Sequence, residues 1–142
     1  MKKIKYSKVG EDYDKKDPIK KLAQKQGLLT SKNILPFKEL SETRGESAYV
    51  WKQGNNYMAA VIEGLGTKNL IADEMAKLTG KDYYENIAHD TVASIVNDLV
   101  TVGARPLVVH AFWAVGDVDW VSNDTRIKSL VRGWKKACNL SF

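Results

Sequence analysis

The amino-acid sequence predicts an α/β fold of the α+β type, with a mixed or antiparallel sheet covered by helices on one side. Apolar residues recur at helical spacing in four segments of the chain. Segments rich in β-branched and aromatic residues lie between them, and two of these are joined by a tight turn, which is typical of a β-hairpin.

Length and composition indicate a globular protein. A chain of 142 residues can bury a core as one domain, and an apolar fraction of 44% with four Trp is not that of a disordered segment. The single cysteine excludes an internal disulfide framework and fits a reducing compartment. No apolar run reaches the roughly 18 residues of a membrane span, and no signal peptide is recognisable. We therefore expect a cytoplasmic protein without membrane contact.

The net charge of +5 is concentrated near the N-terminus, where the first 40 residues hold eleven Lys against five acidic residues. This excess has two interpretations, a solvated lysine-rich surface or an arm that attracts phosphate groups. Nucleic-acid binding is disfavoured, because Arg is scarce in this segment and no aromatic stacking pattern accompanies the lysines.

The first predicted helix begins at Asp17-Pro18, with Asp as N-cap and Pro at the first helical position, and closes at Gly27. Residues 28–46 are polar, contain proline and glycine, and are interpreted as a linker or loop.

A β-hairpin is predicted from two strand-like runs, Ser47–Lys52 and Tyr57–Ile62, because Gly54-Asn55-Asn56 between them is a turn signal. The second strand leads through residues 63–68 into a predicted helix at 69–78 that Gly80 ends. The inward-facing residues of that helix are expected to be Leu70, Ile71, Met75 and Leu78.

The segment 86–115 predicts a helix, a glycine break and a buried strand. The helix runs from Asp90, a natural N-cap, to Val102, and Gly103 and Pro106 stop it. The strand follows at 107–115. The buried face of the helix is expected to consist of Val92, Ile95, Val96, Leu99 and Val100.

The last predicted helix covers residues 122–138, and residues 139–142 are interpreted as the start of a strand. Gly133 inside this helix indicates either close approach to another backbone or simple tolerance. The buried stripe is expected to consist of Ile127, Leu130, Val131, Trp134 and Cys138.

Two groups of residues could carry chemistry. After the hairpin, Glu63 is followed by two glycines and then by Thr67 and Lys68 at a helix start, where backbone N–H groups can face a phosphate. The spacing is not that of a P-loop, and a plain strand-to-helix turn is the alternative. Asn97 and Asp98 are poor interior helix residues beside an apolar face. They could hold a cation, or they could satisfy neighbouring backbone groups.

These same residues carry a resemblance to a known family. Asn97-Asp98-Leu99 followed by Gly103-Ala104-Arg105-Pro106 resembles the N-D-L-x-x-x-G-A-x-P signature of the aminoimidazole ribonucleotide synthetase superfamily, which includes phosphoribosylformylglycinamidine cyclo-ligase. The loop is similar to the cyclo-ligase motif T-D-G-V-G-T-K at Gly64, Gly66, Thr67 and Lys68, and Glu63 stands where the family has Asp. A partial match to the family's opening arm is found at Tyr6, Gly10, Asp12 and Asp14.

The resemblance implies an enzyme of purine biosynthesis that depends on ATP and Mg²⁺. It implies that ATP phosphorylates an amide oxygen of formylglycinamidine ribonucleotide, or of an analogue, and that ring closure follows. It also implies a homodimer in which the sheet pairs with that of a second subunit to form a barrel. The metal ligands would be Asp98 and Glu63, and the nucleotide would be bound by Gly64, Gly66, Thr67, Lys68, Asp90 and Asn97.

The expected domain organisation follows from the family. Residues 1–46 would form an N-terminal arm, a short helix and a linker, and residues 47–142 the N-terminal domain, and the C-terminal domain of the family would be absent. Two alternatives stay open: a sibling small-molecule kinase of the same superfamily, and a non-catalytic or regulatory dimeric relative. The change from Asp to Glu at Glu63 favours the non-catalytic relative slightly.

Overall fold

The computed structural model describes residues 12–142 and has an α+β architecture, as predicted. The predicted family match at Tyr6 and Gly10 lies outside the described residues. Within them there are four α-helices, three short strands and three short 3₁₀ turns, at Ser31–Ile34, Ser41–Thr43 and Val118–Trp120. The helices and strands are α1 (Tyr13–Leu28), β1 (Lys38–Glu39), β2 (Tyr49–Gln53), β3 (Asn56–Ala60), α2 (Lys68–Thr79), α3 (Tyr84–Thr101) and α4 (Asp124–Ser141).

The chain divides into two compact units, one ending at Glu39 and the other spanning Leu40–Phe142. In the first unit α1 begins at Tyr13, four residues before the predicted N-cap, and both Pro18 and Gly27 lie within it. The Lys16 amide already donates to the Asp12 carbonyl at 3.0 Å, so the helix is established before the proline. Pro18, the sixth residue of α1, has no backbone N–H to donate to the Asp14 carbonyl, so one helical hydrogen bond is missing there.

The predicted hairpin is confirmed. Strands β2 and β3 pair antiparallel, with Gln53 opposite Asn56, so Gly54 and Asn55 form a two-residue turn. Gly54 has φ of 61°, a conformation that a glycine adopts without steric cost.

The core of the second unit lies between α3 and α4. Gly133 of α4 lies so close to α3 that an added Cβ would be 2.5 Å from the Glu85 carbonyl oxygen. Gly133 therefore permits the close approach of the two backbones, which is one of the two predicted interpretations. The larger buried cluster consists of Leu65, Ala72, Tyr84, Ile87, Ala88 and Leu130.

Helix α3 begins at Tyr84, six residues earlier than predicted, so Asp90 is an interior residue and not an N-cap. The Asp82 carboxylate accepts the Tyr84 backbone N–H at 3.3 Å and so acts at the true helix start. The predicted buried face is correct at Val92, Ile95 and Leu99, whereas the side chain of Val100 is 53% exposed.

The predicted buried strand at 107–115 is wrong. This segment follows α3 as an extended chain without strand pairing in the described structure. Leu107, Val108 and Phe112 are at least half exposed, and only Val109 and Trp113 pack against the core. β-branched and aromatic residues favour a pleated, half-buried surface, but that preference needs a neighbouring strand to be realised.

Two further predictions about helices are corrected. In α2 the buried residue is Ala72, and the predicted inward face is exposed to solvent, because the helix packs through a small side chain. That exposed face consists of Leu70, Ile71, Met75 and Leu78. Helix α4 continues to Ser141, so no strand starts at residue 139, and Val131 of its predicted stripe is exposed. None of the helices in residues 12–142 combines the length and apolar character needed to cross a bilayer.

Candidate functional site

The glycine-containing loop between β3 and α2 is anchored by one apolar side chain. Leu65, between the two glycines, is 8% exposed and belongs to the larger core cluster. Gly66 has φ of 65°, and nothing lies within 4 Å of the Cβ that a larger residue would carry there. The requirement for glycine at this position is therefore conformational, and the space above the loop is open.

The loop lies beside the extended segment that follows α3. A Cβ built on Gly64 would be 4.0 Å from Cδ1 of Phe112. Since Phe112 is half exposed, its ring forms one wall next to the loop while part of it faces solvent. A side chain at position 64 would be in van der Waals contact with this ring, so the glycine here leaves the backbone accessible.

The structure brings two predicted site residues together. Lys68, the first residue of α2, places its Nζ 3.4 Å from Oδ2 of Asp90 on α3. Their side chains are 45% and 55% exposed, so water screens the pair and leaves both groups accessible to a ligand. An ion pair this exposed contributes only about 0–1 kcal/mol to stability. Its significance is therefore geometric, because it shows that the start of α2 lies beside Asp90 of α3.

The other predicted site residues are distributed along the same loop and helix. Asp98 lies two turns beyond Asp90 on α3, about 12 Å along the helix axis, and is half-buried. No contact between the side chains of Glu63 and Asp98 is seen, and no group of three or more His, Cys, Asp or Glu residues within 12–142 is arranged to hold a metal ion. The exposed members of the predicted set are Glu63, Gly66, Thr67, Lys68, Asp90 and Asn97, and Gly64 is half-buried.

A second polar cluster, not predicted from the sequence, connects α2, α3 and α4. Oδ1 of Asp73 accepts hydrogen bonds from the Tyr84 hydroxyl at 2.9 Å and from Nη2 of Arg126 at 3.1 Å. Burial, followed by the hydrogen bond to Asp73, raises the pKa of Tyr84 to about 12. Asp73 and Arg126 are 53 residues apart in the sequence, and neither stands in a recognisable motif, so no local signal could have identified the pair.

A small cavity of about 200 Å³ opens beside this cluster, lined by Asp73, Lys81, Asp82 and Arg126 among others. It carries both acidic and basic groups, and its size is below the roughly 300 Å³ at which small-molecule pockets begin. The cavity is therefore a surface cleft between helix ends.

A third ionic group links α3 to α4 at the surface. Glu85 accepts a hydrogen bond from Nε of Arg132 at 2.9 Å and another from Nζ of Lys136. The hydrogen bond from Lys136, and then that from Arg132, lowers the pKa of the Glu85 carboxyl. This group stands at the helix contact around Gly133 and has no connection to the glycine-containing loop. The lone Cys138 is half-buried, and burial raises the pKa of its thiol, which fits its predicted place in the buried stripe of the last helix.

Comparison with known proteins places these features in a family. Residues 45–141 match the family model described as AIR synthase related protein, N-terminal domain. A phosphoribosylformylglycinamidine cyclo-ligase of Methanobrevibacter smithii is 30% identical over 135 residues, covering 94% of this chain and 37% of that protein. The cyclo-ligase of Carboxydothermus hydrogenoformans is also 30% identical, over 143 residues, covering 97% of this chain and 37% of that protein.

A chloroplastic/mitochondrial cyclo-ligase of Vigna unguiculata is 37% identical over 84 residues, which cover 59% of this chain and 20% of that protein. The chain thus spans little more than a third of the length of the first of these relatives. No solved structure matches significantly. Because the family model covers more than half of the chain, including the loop and α3, the protein belongs to the AIR synthase related family through its N-terminal domain.

Proposed function

We propose that this chain is the ATP-binding N-terminal domain of a phosphoribosylformylglycinamidine cyclo-ligase-like enzyme of purine biosynthesis. Family membership supports the proposal. The observation that carries it is the 3.4 Å contact between Lys68 and Asp90, which joins the glycine-containing loop to the helix bearing Asn97 and Asp98. Residues 47–142 would form the domain and residues 1–46 the preceding arm, helix and linker. Since the relatives are much longer, complete turnover is proposed for a full-length enzyme.

The nucleotide phosphates are proposed to lie on the loop at the start of α2. The space above Gly66 is open, and the Thr67 side chain makes no capping bond to the helix. Free backbone N–H groups and the helix dipole at an N-terminus favour an anion, and Lys68 would add a full positive charge. These residues fit a phosphate group. Asp90 would hold the Lys68 ammonium in place, and the exposed amide of Asn97 would offer further hydrogen bonds.

Mg²⁺ is proposed to bind between Asp98 and Glu63. Magnesium uses one or two protein carboxylates and completes its shell with water and substrate phosphates, so the chemistry of the exposed Glu63 and the half-buried Asp98 suits it. When bound, ATP would supply the phosphoryl group that turns the amide oxygen of the formylglycinamidine substrate into a leaving group for ring closure. The residues of this chain would neutralise charge and orient the phosphates, since such transfers depend on positioning and electrostatics.

The extended segment after α3 is proposed as the contact with a second subunit. Leu107, Val108 and Phe112 of this segment are exposed to solvent. The segment pairs with no strand in the described structure. Pairing of this segment with a second copy would cover the apolar side chains and satisfy the backbone groups, and the sheets of the two subunits would then form the barrel of a homodimer.

Titration of the chain with Mg-ATP by isothermal titration calorimetry tests the nucleotide site. Replacement Lys68→Met is expected to weaken binding at least tenfold, because it removes the cation at the loop. Lys77→Met is the matched control, since Lys77 lies on the same helix and pairs only with the exposed Glu74, at 2.6 Å. Equal affinities for the wild type and Lys68→Met would refute the proposed phosphate site.

A second candidate is a dimeric regulatory relative that binds nucleotide without turnover, and the Glu at position 63 favours it, because its carboxylate reaches one methylene further than Asp. Glu63→Asp separates the candidates. In a catalytic domain the longer side chain already supports Mg²⁺, so the replacement changes the magnesium dependence of ATP affinity less than twofold. A several-fold gain would indicate that Glu63 has weakened the metal site. A substrate screen of a full-length enzyme would reveal a sibling kinase.

A further inference from the structure

Helix α2, which carries Lys68 at its first position, packs against the rest of the second unit through few side chains. Ala72 is its only buried residue, and its apolar side chains Leu70, Ile71 and Leu78 are 59%, 66% and 79% exposed. Apolar packing therefore does little to fix the direction of this helix. Leu65 anchors the loop just before the helix, so a further interaction is needed to fix the direction of the helix itself.

The polar cluster around Asp73 supplies that interaction. Asp73 is the sixth residue of α2, and its Oδ1 accepts from the first residue of α3, Tyr84, and from the first turn of α4, Arg126. The Arg126 side chain also donates through Nη1 to the Trp120 carbonyl at 3.0 Å. One carboxylate on α2 is thus tied to two other helices and to the 3₁₀ turn before α4.

The guanidinium is itself held rigidly. Its Cζ lies 5.2 Å from the ring centre of Tyr84 and 4.9 Å from that of Trp120, and the two rings meet edge to face at 73°. The side chains of Arg126 and Asp73 are 19% and 25% exposed. A planar guanidinium that stacks on rings and forms directed hydrogen bonds fixes orientation as well as distance, which a lysine ammonium cannot do.

We infer that Asp73, Tyr84 and Arg126 are positioning residues, which set the direction of α2 and so place Lys68 at the phosphate site. Asp73 follows Lys68 by five residues, about 7.5 Å along the helix axis, so a rotation about Asp73 moves the lysine directly. The exposed pair of Lys68 with Asp90 is too weak to hold the helix alone. The expected effect on nucleotide binding rests on the proposed function, whereas the positioning of α2 is argued from the geometry of the cluster.

The inference is tested on the full chain with Asp73→Asn and Arg126→Lys, and with Tyr84→Phe, which removes one hydroxyl in case the other two fail to fold. The readouts are the Kd for Mg-ATP and the hydrogen exchange of the α2 amides. Ile95→Val is the matched control, because Ile95 is buried in the separate cluster with Ala48 and Leu99. The replacement should lower the stability of the protein without changing the contacts of α2.

The expected result is at least a fivefold weaker Kd and faster exchange across Lys68–Thr79 in the cluster variants, while Ile95→Val changes the Kd less than twofold. Comparison is made at temperatures that give equal distance from each melting point. The inference is wrong if Ile95→Val weakens binding as much as the cluster variants do. It is also wrong if the cluster variants leave both the Kd and the hydrogen exchange unchanged. Failure of the wild type to bind Mg-ATP would instead refute the proposed function, and the exchange data would then decide the inference alone.

Discussion

At the scale of single residues, the stability of the fold depends on a few buried polar groups whose partners are distant in sequence. Tyr84 is 1% exposed, and its hydroxyl is satisfied by Asp73. Burial of a hydroxyl without such a partner costs about 1–3 kcal/mol, so the tyrosine and the aspartate depend on one another. The sequence identifies Tyr84 as neither a core residue nor a helix start, because nothing local distinguishes it from the exposed tyrosines.

The raised pKa of Tyr84 gives a pH dependence. Its pKa is about 12 in the folded chain and near 10 when unfolded, so the folded state retains the proton more strongly. The stabilisation is complete below pH 10 and is lost as the pH rises towards 12, by an amount on the order of 2 kcal/mol. Urea unfolding from pH 8 to 12 should show this loss, and Tyr84→Phe should lack that part of it. If the free energy of unfolding fell equally with pH in the wild type and in Tyr84→Phe, the loss could not be attributed to Tyr84.

Asp98 gives a prediction about metal dependence. If its carboxylate binds Mg²⁺, Asp98→Asn should remove most of the gain in ATP affinity that magnesium confers, because the amide has no charge to offer the ion. We expect that gain to fall at least tenfold. Calorimetric titrations of ATP with and without MgCl₂ measure this gain. Asp124→Asn is the control, since Asp124 is an exposed carboxylate that pairs with Lys128 on α4. Unchanged magnesium dependence in Asp98→Asn would exclude Asp98 as a ligand.

At the scale of elements, the turn signal predicted the hairpin and hydrophobic spacing predicted the helices near their true positions, but not the ends or the buried faces of the helices. Asp90 has the chemistry of an N-cap, yet the helix starts at Tyr84 because Asp82 meets the Tyr84 amide and the tyrosine ring is buried there. Residues 107–115 have strand composition without a paired strand. Both errors have one physical cause, since local preference is overruled by contacts with other elements.

For Gly133 the structure selects one of the two predicted interpretations, the close approach of two backbones. An added methyl group would lie 2.5 Å from the Glu85 carbonyl oxygen and 2.7 Å from its Cα, and both are backbone atoms that cannot move aside. Gly133→Ala should therefore destabilise the chain by about 1–3 kcal/mol in urea unfolding. Gly27→Ala is the control, because nothing lies within 4 Å of the Cβ that alanine would carry there, and helix propensity favours Ala. Equal stability of wild type and Gly133→Ala would show that α3 and α4 can separate.

At the scale of the whole molecule, two signature segments predicted the family, whereas the assembly of the site required the fold. The residues of the loop and of α3 were recognisable because each belongs to a short contiguous motif. The contact between Lys68 and Asp90 joins residues 22 positions apart on different helices, and its 3.4 Å distance follows from how α2 packs on α3. Spacing in the sequence carries no information on that packing, and the same holds for Asp73 and Arg126.

The proposed homodimer is tested at this same scale. Val108 is 64% exposed in the extended segment, and a lysine there would place a charge in the apolar contact, where an unpaired buried charge costs several kcal/mol. Sedimentation velocity over a range of concentrations should show a dimer for the wild type and a monomer for Val108→Lys, with unchanged circular dichroism. Val118→Lys is the control, because Val118 is 72% exposed outside this segment and should leave the dimer intact. A wild type that stays monomeric at all concentrations, or a dimer that survives Val108→Lys, would refute the pairing of this segment between subunits.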